Sequence, residues 1–173
     1  MKNLILVNGT MGVGKTATCR ALMKRLPRCA FLDGDWCWDM SPFVVTDETK
    51  AMVTDNICHV LNNFLRCTAY DNILFCWVMH EQSIIRDITD RLRTDGCRVH
   101  LFSLVCSEEA LVSRLSGDVE SGLRESEIIA RSVARRGKYR DLDTVKIDTS
   151  GITAGEAAER ILAYIGCRDG IEP

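Results

Sequence analysis

Apolar residues along this chain alternate between short unbroken runs and stretches where they recur every three or four positions, which predicts strands and helices in turn. Asn3 to Asn8 encloses one such run, Leu4 to Val7, suited to a central strand covered on both faces. A helix is predicted from about Gly14 to Arg25, stopped by Pro27, and Cys29 to Leu32 makes a second strand ending in Asp33-Gly34-Asp35. Val53, Ile57, Val60, Leu61 and Phe64 share one face of a long helix from about Asp47 to Arg66, with Thr46 as its N-cap. The third strand is Asn72 to Met79, and the helix after it turns Ile85, Ile88 and Leu92 inward and stops at Gly96. Arg98 to Cys106 reads as the fourth strand, and Ser107-Glu108-Glu109 opens a helix that Gly117 ends. The polar stretch Asp118 to Arg140 reads as one exposed helix. Thr144 to Asp148 is the fifth strand, and a capping box, Thr153 to Glu156, opens a last helix that buries Ile161, Leu162 and Ile165. Strands alternating with helices in this way define an α/β class. No repeat, linker or low-complexity tract interrupts them, so residues 1–173 are expected to form one domain with a mobile insertion near 117–140.

Composition narrows the function classes. With 46% hydrophobic and 27% charged residues, the 173-residue chain suits one globular domain with a substantial core. Its 22 Lys and Arg against 24 Asp and Glu are spread evenly, which argues against a nucleic-acid or anionic-membrane partner. No stretch nears the roughly 18 apolar residues needed to span a bilayer, and the run after Lys2 is too short for a signal peptide, so a cytoplasmic location is expected. The nine cysteines, Cys19, Cys29, Cys37, Cys58, Cys67, Cys76, Cys97, Cys106 and Cys167, include no C-x-x-C pair and mostly sit among apolar neighbours. They are expected to be reduced, buried and structural, with Cys37 the one that falls in a candidate active-site loop.

Directly after the first strand stands Gly9-Thr10-Met11-Gly12-Val13-Gly14-Lys15-Thr16, a full match to G-x-x-x-x-G-K-[ST], with Ala17 following inside the next helix. Its glycines allow a concave backbone whose N–H groups converge on phosphate oxygens, and the helix behind adds its positive N-terminus. Lys15 supplies an ammonium for the β and γ phosphates and Thr16 a hydroxyl for Mg²⁺, so ATP and Mg²⁺ are the expected cofactors. A GTPase should carry N-K-x-D, whereas the nearest segment here, Val145 to Asp148, is strand material, and a large ATPase would need more chain.

At the end of the second strand, Asp33 and Asp35 stand two residues apart at the sheet edge that opens toward the phosphate loop, and would point the same way if the chain stays extended. With this pair the sequence resembles the small P-loop kinases of the shikimate kinase, gluconate kinase and chloramphenicol phosphotransferase type. The resemblance rests on Gly9 to Thr16, on Leu32-Asp33-Gly34-Asp35 and on the Arg-rich segment, and it covers nearly the whole chain in its order of elements. It implies a three-layer fold with a five-stranded parallel sheet in the order 2-3-1-4-5, an Arg-rich helical lid, and transfer of the ATP γ-phosphoryl group to a hydroxyl of a small-molecule acceptor. Carried over, Asp33 would help Thr16 hold Mg²⁺, and Asp35 would bind the acceptor hydroxyl and take its proton. Where gluconate kinases continue with His-Pro, this chain has Trp36-Cys37-Trp38-Asp39. Two alternatives stand beside this reading: a nucleoside or nucleotide acceptor, or a nucleotide-dependent binding module with only slow ATP hydrolysis.

The resemblance also points to further residues. Trp36 and Trp38 either stack on an acceptor or roof the core beside the long helix. His80, Glu81 and Arg86 occupy the edge where these kinases bind the acceptor, or they are solvated cap residues. Arg124, Arg131, Arg135 and Arg136 lie in the lid segment, with Arg124, Arg131 and Arg135 along one helical face. Arg131 and Arg135 are the leading candidates to neutralise transferred charge, and Arg114 is a clamp near the hinge. Thr149-Ser150-Gly151 resembles the loop that passes the adenine ring. His59 and His100 read as structural. The chain is expected to act as a monomer or weak homodimer.

Overall fold

The computed structural model describes residues 1–169, with side chains to residue 166, so the expectation for Cys167 lies outside the described residues. Its elements, in chain order, are β1 (Lys2–Asn8), α1 (Lys15–Met23), β2 (Cys29–Asp33), a 3-10 turn (Gly34–Trp38), α2 (Asp47–Arg66), β3 (Asn72–Trp77), α3 (Gln82–Asp90), β4 (Cys97–Val105), α4 (Glu108–Glu120), α5 (Glu127–Arg136), a 3-10 turn (Gly137–Tyr139), β5 (Val145–Asp148) and α6 (Ala154–Asp169). All four strand pairings are parallel, and the sheet order is β2-β3-β1-β4-β5. This is the α/β P-loop fold that the phosphate-loop motif implies.

Strand periodicity sorts the core into two layers. Ile5 and Val7 of β1, Leu74 and Cys76 of β3 and Phe102 and Leu104 of β4 pack with α1, α4, α5 and α6 on one face of the sheet. Leu4 and Leu6, with Ile73 and Phe75, pack with α2 and α3 on the other. On α2 the buried stripe is Val53, Ile57, Cys58, Leu61 and Leu65, while Val60 and Phe64 reach only its border.

The caps account for the helix starts. Thr46 and Thr49 form a reciprocal capping box at α2, Ser107 Oγ accepts from the Ala110 N–H at α4, and Thr153 with Glu156 closes the box before α6. Among the described residues no helix is long and apolar enough to cross a membrane. The eight described cysteines are free, four of them buried (Cys19, Cys58, Cys76, Cys106) and four half-buried, Cys37 included.

The segment 118–140 departs from expectation. Gly117 does not end a helix; α4 runs through it to Glu120, because an internal glycine costs only about 1 kcal/mol and leaves the backbone hydrogen bonds intact. The stop is Gly122, whose φ of +73° permits a left-handed cap with Gly122 N–H on Val119 O at 2.9 Å and Leu123 N–H on Asp118 O at 2.9 Å. The expected single helix is therefore two, with Arg124 in the connection and Arg131 and Arg135 on α5, so the three arginines do not share one helical face.

Candidate nucleotide and acceptor site

Parallel register brings the C-terminal ends of β1, β2 and β3 to one edge, with Asn8 opposite Trp77 and Asp33 opposite Cys76. Asn8, buried, ties this edge together. Its Oδ1 accepts from the N–H groups of Gly9 and Met79, both at 2.8 Å, and its Nδ2 donates to Met79 O at 2.6 Å. No local pattern marks this residue, since its partner lies 71 positions away.

From Asn8 the chain enters the loop 9–16, where Gly9, Gly12 and Gly14 all adopt positive φ. Gly12 is required by space as well as by conformation, because a Cβ there would stand 2.5 Å from Leu115 Cδ2. Such a cradle, closed by the N-terminus of α1, fits the polyphosphate of a nucleotide. Lys15 is buried and its Nζ donates to Thr10 O at 3.1 Å. Burial lowers its pKa, against the opposing pull of Cys76, Asp35 and Asp33. Thr10 Oγ1 donates to Ser132 O at 3.1 Å, which fastens α5 to the loop.

Thr16 Oγ1 donates to Asp33 Oδ2 at 2.6 Å, and the Asp35 N–H donates to Asp33 Oδ1 at 3.1 Å. The two oxygens that would share Mg²⁺ are thus already side by side, a donor set suited to a hard cation that keeps phosphate and water as its other ligands. Among the described residues no cluster of three His, Cys, Asp or Glu offers a denser metal site. The acid pair does not remain extended. The chain turns into a 3-10 helix at Gly34, so Asp33 stays with Thr16 while Asp35 occupies the first turn beyond the strand. Burial raises the Asp35 pKa, with Lys15 pulling the other way and a hydrogen bond to the Trp77 side chain also favouring the charged form.

Trp36 and Trp38 separate. Trp36 stays 52% exposed and stands edge-on to Phe31, ring centres 5.4 Å apart. Trp38 packs on the α2–α3 side of the core with its ring 5.7 Å from Phe43. His80 has a pKa lowered by burial and then by Arg135, and its Nε2 lies 3.6 Å from Glu81 Oε1, which also pairs with Lys138 at 3.3 Å. Arg86 is exposed on α3, and His59 is exposed on α2, whereas His100 is buried in β4.

The arginines divide their partners. Arg124 pairs with Asp118 at 3.0 Å and acts electrostatically on both Lys15 and Asp35. Arg131 reaches Met11 Sδ of the phosphate loop at 4.0 Å, and Arg135 faces His80 and Tyr139. Arg136 is a strut, bonded to Glu108 at 3.2 Å and to Cys106 O at 3.4 Å. Arg114 bonds Thr149 Oγ1 at 3.2 Å, the Thr149 carbonyl, and Val13 O at 3.5 Å. It therefore lines a cleft of about 240 Å³ together with Val13, Gly14, Thr149, Ile152 and Ala157. Of the expected adenine loop, Thr149 borders this cleft, Ser150 turns its hydroxyl to Asp148 at 2.6 Å, and Gly151 is exposed. A wider groove of about 570 Å³ between α2 and α3, bordered by Met52, Asp55, Asp87 and Arg91, contains none of the candidate residues.

A parallel sheet in this order, a glycine-cradled lysine and a Thr–Asp oxygen pair define a P-loop nucleotide-binding protein. The chain belongs to the AAA domain family, whose model matches residues 5–138, from β1 through the phosphate loop to the end of the α5 region. In fold it is similar to the tunicamycin resistance protein of Deinococcus radiodurans, at 22% identity and TM-score 0.69 over 96% of each chain. It is also similar to a gluconokinase from Sinorhizobium meliloti 1021, at 18% identity and TM-score 0.67 over 96% of this chain and 93% of that one. A shikimate kinase from Acinetobacter baumannii, solved with shikimate, aligns at 23% identity and TM-score 0.65 over 97% and 94%. No curated protein matches the sequence.

Proposed function

We propose that this chain transfers the γ-phosphoryl group of ATP to a hydroxyl of a small-molecule acceptor. The observation that carries the reading is Asp35: a solvent-accessible carboxylate set in the first turn after β2, coupled electrostatically to the phosphate-loop Lys15 and separate from the Thr16–Asp33 pair. A protein that only binds nucleotide and switches has no need of a second acid there, so Asp35 weighs, though weakly, toward transfer.

In this reading the backbone of residues 9–16 and Lys15 hold the β and γ phosphates, and the cleft beside Arg114 and Thr149 takes the base. Thr16 and Asp33 would hold Mg²⁺, which when bound neutralises phosphate charge. Asp35 accepts the proton of the acceptor hydroxyl as its oxygen bonds to the γ-phosphorus, and the bond to the β-phosphate oxygen breaks to release ADP. Lys15 and Arg124 face the charge that moves onto that leaving oxygen, with Arg131 and Arg135 on the closing segment 117–140. The test is ADP release from Mg-ATP with a panel of sugars, sugar acids, nucleosides and hydroxylated aromatic compounds, run beside Lys15→Ala. Acceptor-stimulated release that the variant loses is the expected result, and identical release from wild type and variant would refute it.

A further inference from the structure

The connection between α4 and α5 inverts the usual sorting of side chains. Of residues 121–127 only Arg124 is turned partly inward, while Ser121, Gly122, Glu125, Ser126 and Glu127 are exposed and Leu123 stands 75% exposed beside it. A leucine in solvent next to a half-buried arginine breaks the ordinary order of burial, and such local conflicts mark functional places. Leu123 is the one large apolar side chain of the connection, so packing does not aim Arg124.

Asp118 does. Gly122, with φ of +73°, turns the chain back on α4, where the Asp118 carbonyl accepts the Leu123 N–H at 2.9 Å and the Ser121 hydroxyl at 3.0 Å. The Asp118 carboxylate then accepts the Arg124 Nε–H, with Nε 3.0 Å from Oδ2. Of the four carboxylates between residues 117 and 127, Asp118, Glu120, Glu125 and Glu127, it is the one that is not exposed. With Nε spent on this pair, neither Nη of Arg124 makes a hydrogen bond among the described residues, and that edge of a guanidinium suits phosphate oxygens. The same guanidinium is near enough to act on the charge of Lys15 and of Asp35. Two cations held near one another repel, and an anion placed between them removes that cost.

We propose that Asp118 is a positioning residue, which holds Arg124 through Nε so that its free Nη groups, together with Lys15, meet the γ-phosphoryl end of the nucleotide. The proposal rests on the nucleotide site of the phosphotransferase reading, and its test needs no acceptor. Affinities for Mg-ADP and for Mg-AMP-PNP, which carries a non-hydrolysable γ-phosphoryl group, are measured by calorimetry. Their ratio reports what the γ-phosphoryl group adds to binding.

Arg124→Gln should lower the preference for AMP-PNP by about tenfold or more, as the loss of a charged hydrogen bond does. Asp118→Ala should lower it by at least about threefold, and Asp118→Asn, whose amide oxygen still accepts from Nε, by less. Both side chains are 35% exposed, so these changes leave the core closed, and Mg-ADP affinity should stay within about twofold. In the Arg124→Gln background Asp118→Ala should have no further effect, whereas a carboxylate that only stabilised the fold would keep its own. Equal losses of ADP and AMP-PNP affinity in Asp118→Ala would overturn the proposal. So would an unchanged ratio in Asp118→Ala or Arg124→Gln, an additive double variant, Asp118→Asn as damaging as Asp118→Ala, or a wild-type protein that binds neither nucleotide. The phosphotransferase reading fails separately, on ADP release that does not depend on Lys15.

Discussion

Gly12→Ala is a perturbation whose cost can be worked from the coordinates. Gly12 has φ of +80°, and an added Cβ would lie 2.5 Å from Cδ2 and 2.7 Å from Cγ of Leu115, a residue with no exposed surface. Two penalties follow: roughly 1 kcal/mol for an L-residue in the left-handed region, and about 1–3 kcal/mol for forcing a packed side chain aside. Gly122, with φ of +73° and nothing within 4 Å of its Cβ position, supplies a control that carries only the first. In guanidinium denaturation at constant m value, Gly12→Ala should therefore lose about 2–4 kcal/mol and Gly122→Ala about 1 kcal/mol. Leu115→Ala opens the space the new methyl needs, at its own cost of about 2–5 kcal/mol, so the double variant should be more stable than the two losses predict by about 1–3 kcal/mol. A Gly12→Ala loss no greater than that of Gly122→Ala, or strict additivity with Leu115→Ala, would refute the steric argument.

Asp35 should govern the acid side of the pH–rate profile. Its pKa stands above the ordinary 3.8 because burial disfavours the charge, so acceptor-dependent turnover should fall on acidification at a higher pH than an ordinary carboxylate would give. The same shift has an opposite sign for stability: a group whose folded pKa is raised contributes stability below its unfolded value and loses it as pH rises through the folded one. Asp35→Asn should accordingly abolish turnover yet raise the denaturation midpoint at neutral pH, and an unchanged or lowered midpoint would contradict the burial cause. Asn8→Ala leaves the Gly9 and Met79 N–H groups and the Met79 carbonyl without partners in a buried place, and should cost between about 2 and 5 kcal/mol in the same denaturation assay.

What the sequence could disclose was local. β1 was legible because Leu4 to Val7 is apolar on both faces of a central strand, and the α2, α4 and α6 starts because Thr46, Ser107 and Thr153 cap through partners three residues away. The break in 118–140 was harder to see, since both Gly117 and Gly122 could end a helix and only the chain after each decides which backbone turns left-handed. Asn8, the Thr10–Ser132 bond and the approach of Arg124 to Lys15 were illegible for a different reason. Each joins residues from 71 to 122 positions apart, so no periodicity or motif within either segment contains it.

The acid pair is the place where the motif and the geometry part most usefully. Two aspartates at spacing two in an extended strand would share a face and, within a few ångströms of each other, compete for one cation or one proton. The 3-10 turn at Gly34 prevents this by converting Asp33 into its cap: Asp33 Oδ1 accepts the Asp35 N–H while Oδ2 takes the Thr16 hydroxyl, so each oxygen holds one donor and the group is fixed beside the phosphate loop. Asp35 receives no such set of donors. Desolvation is its largest influence and raises its pKa, with Lys15 as the main counterweight. One short spacing thus becomes two environments, one beside the Thr16 hydroxyl and one beyond it near Lys15, through a backbone turn that the Asp33 side chain caps and in which Gly34 leaves room for the Trp77 ring.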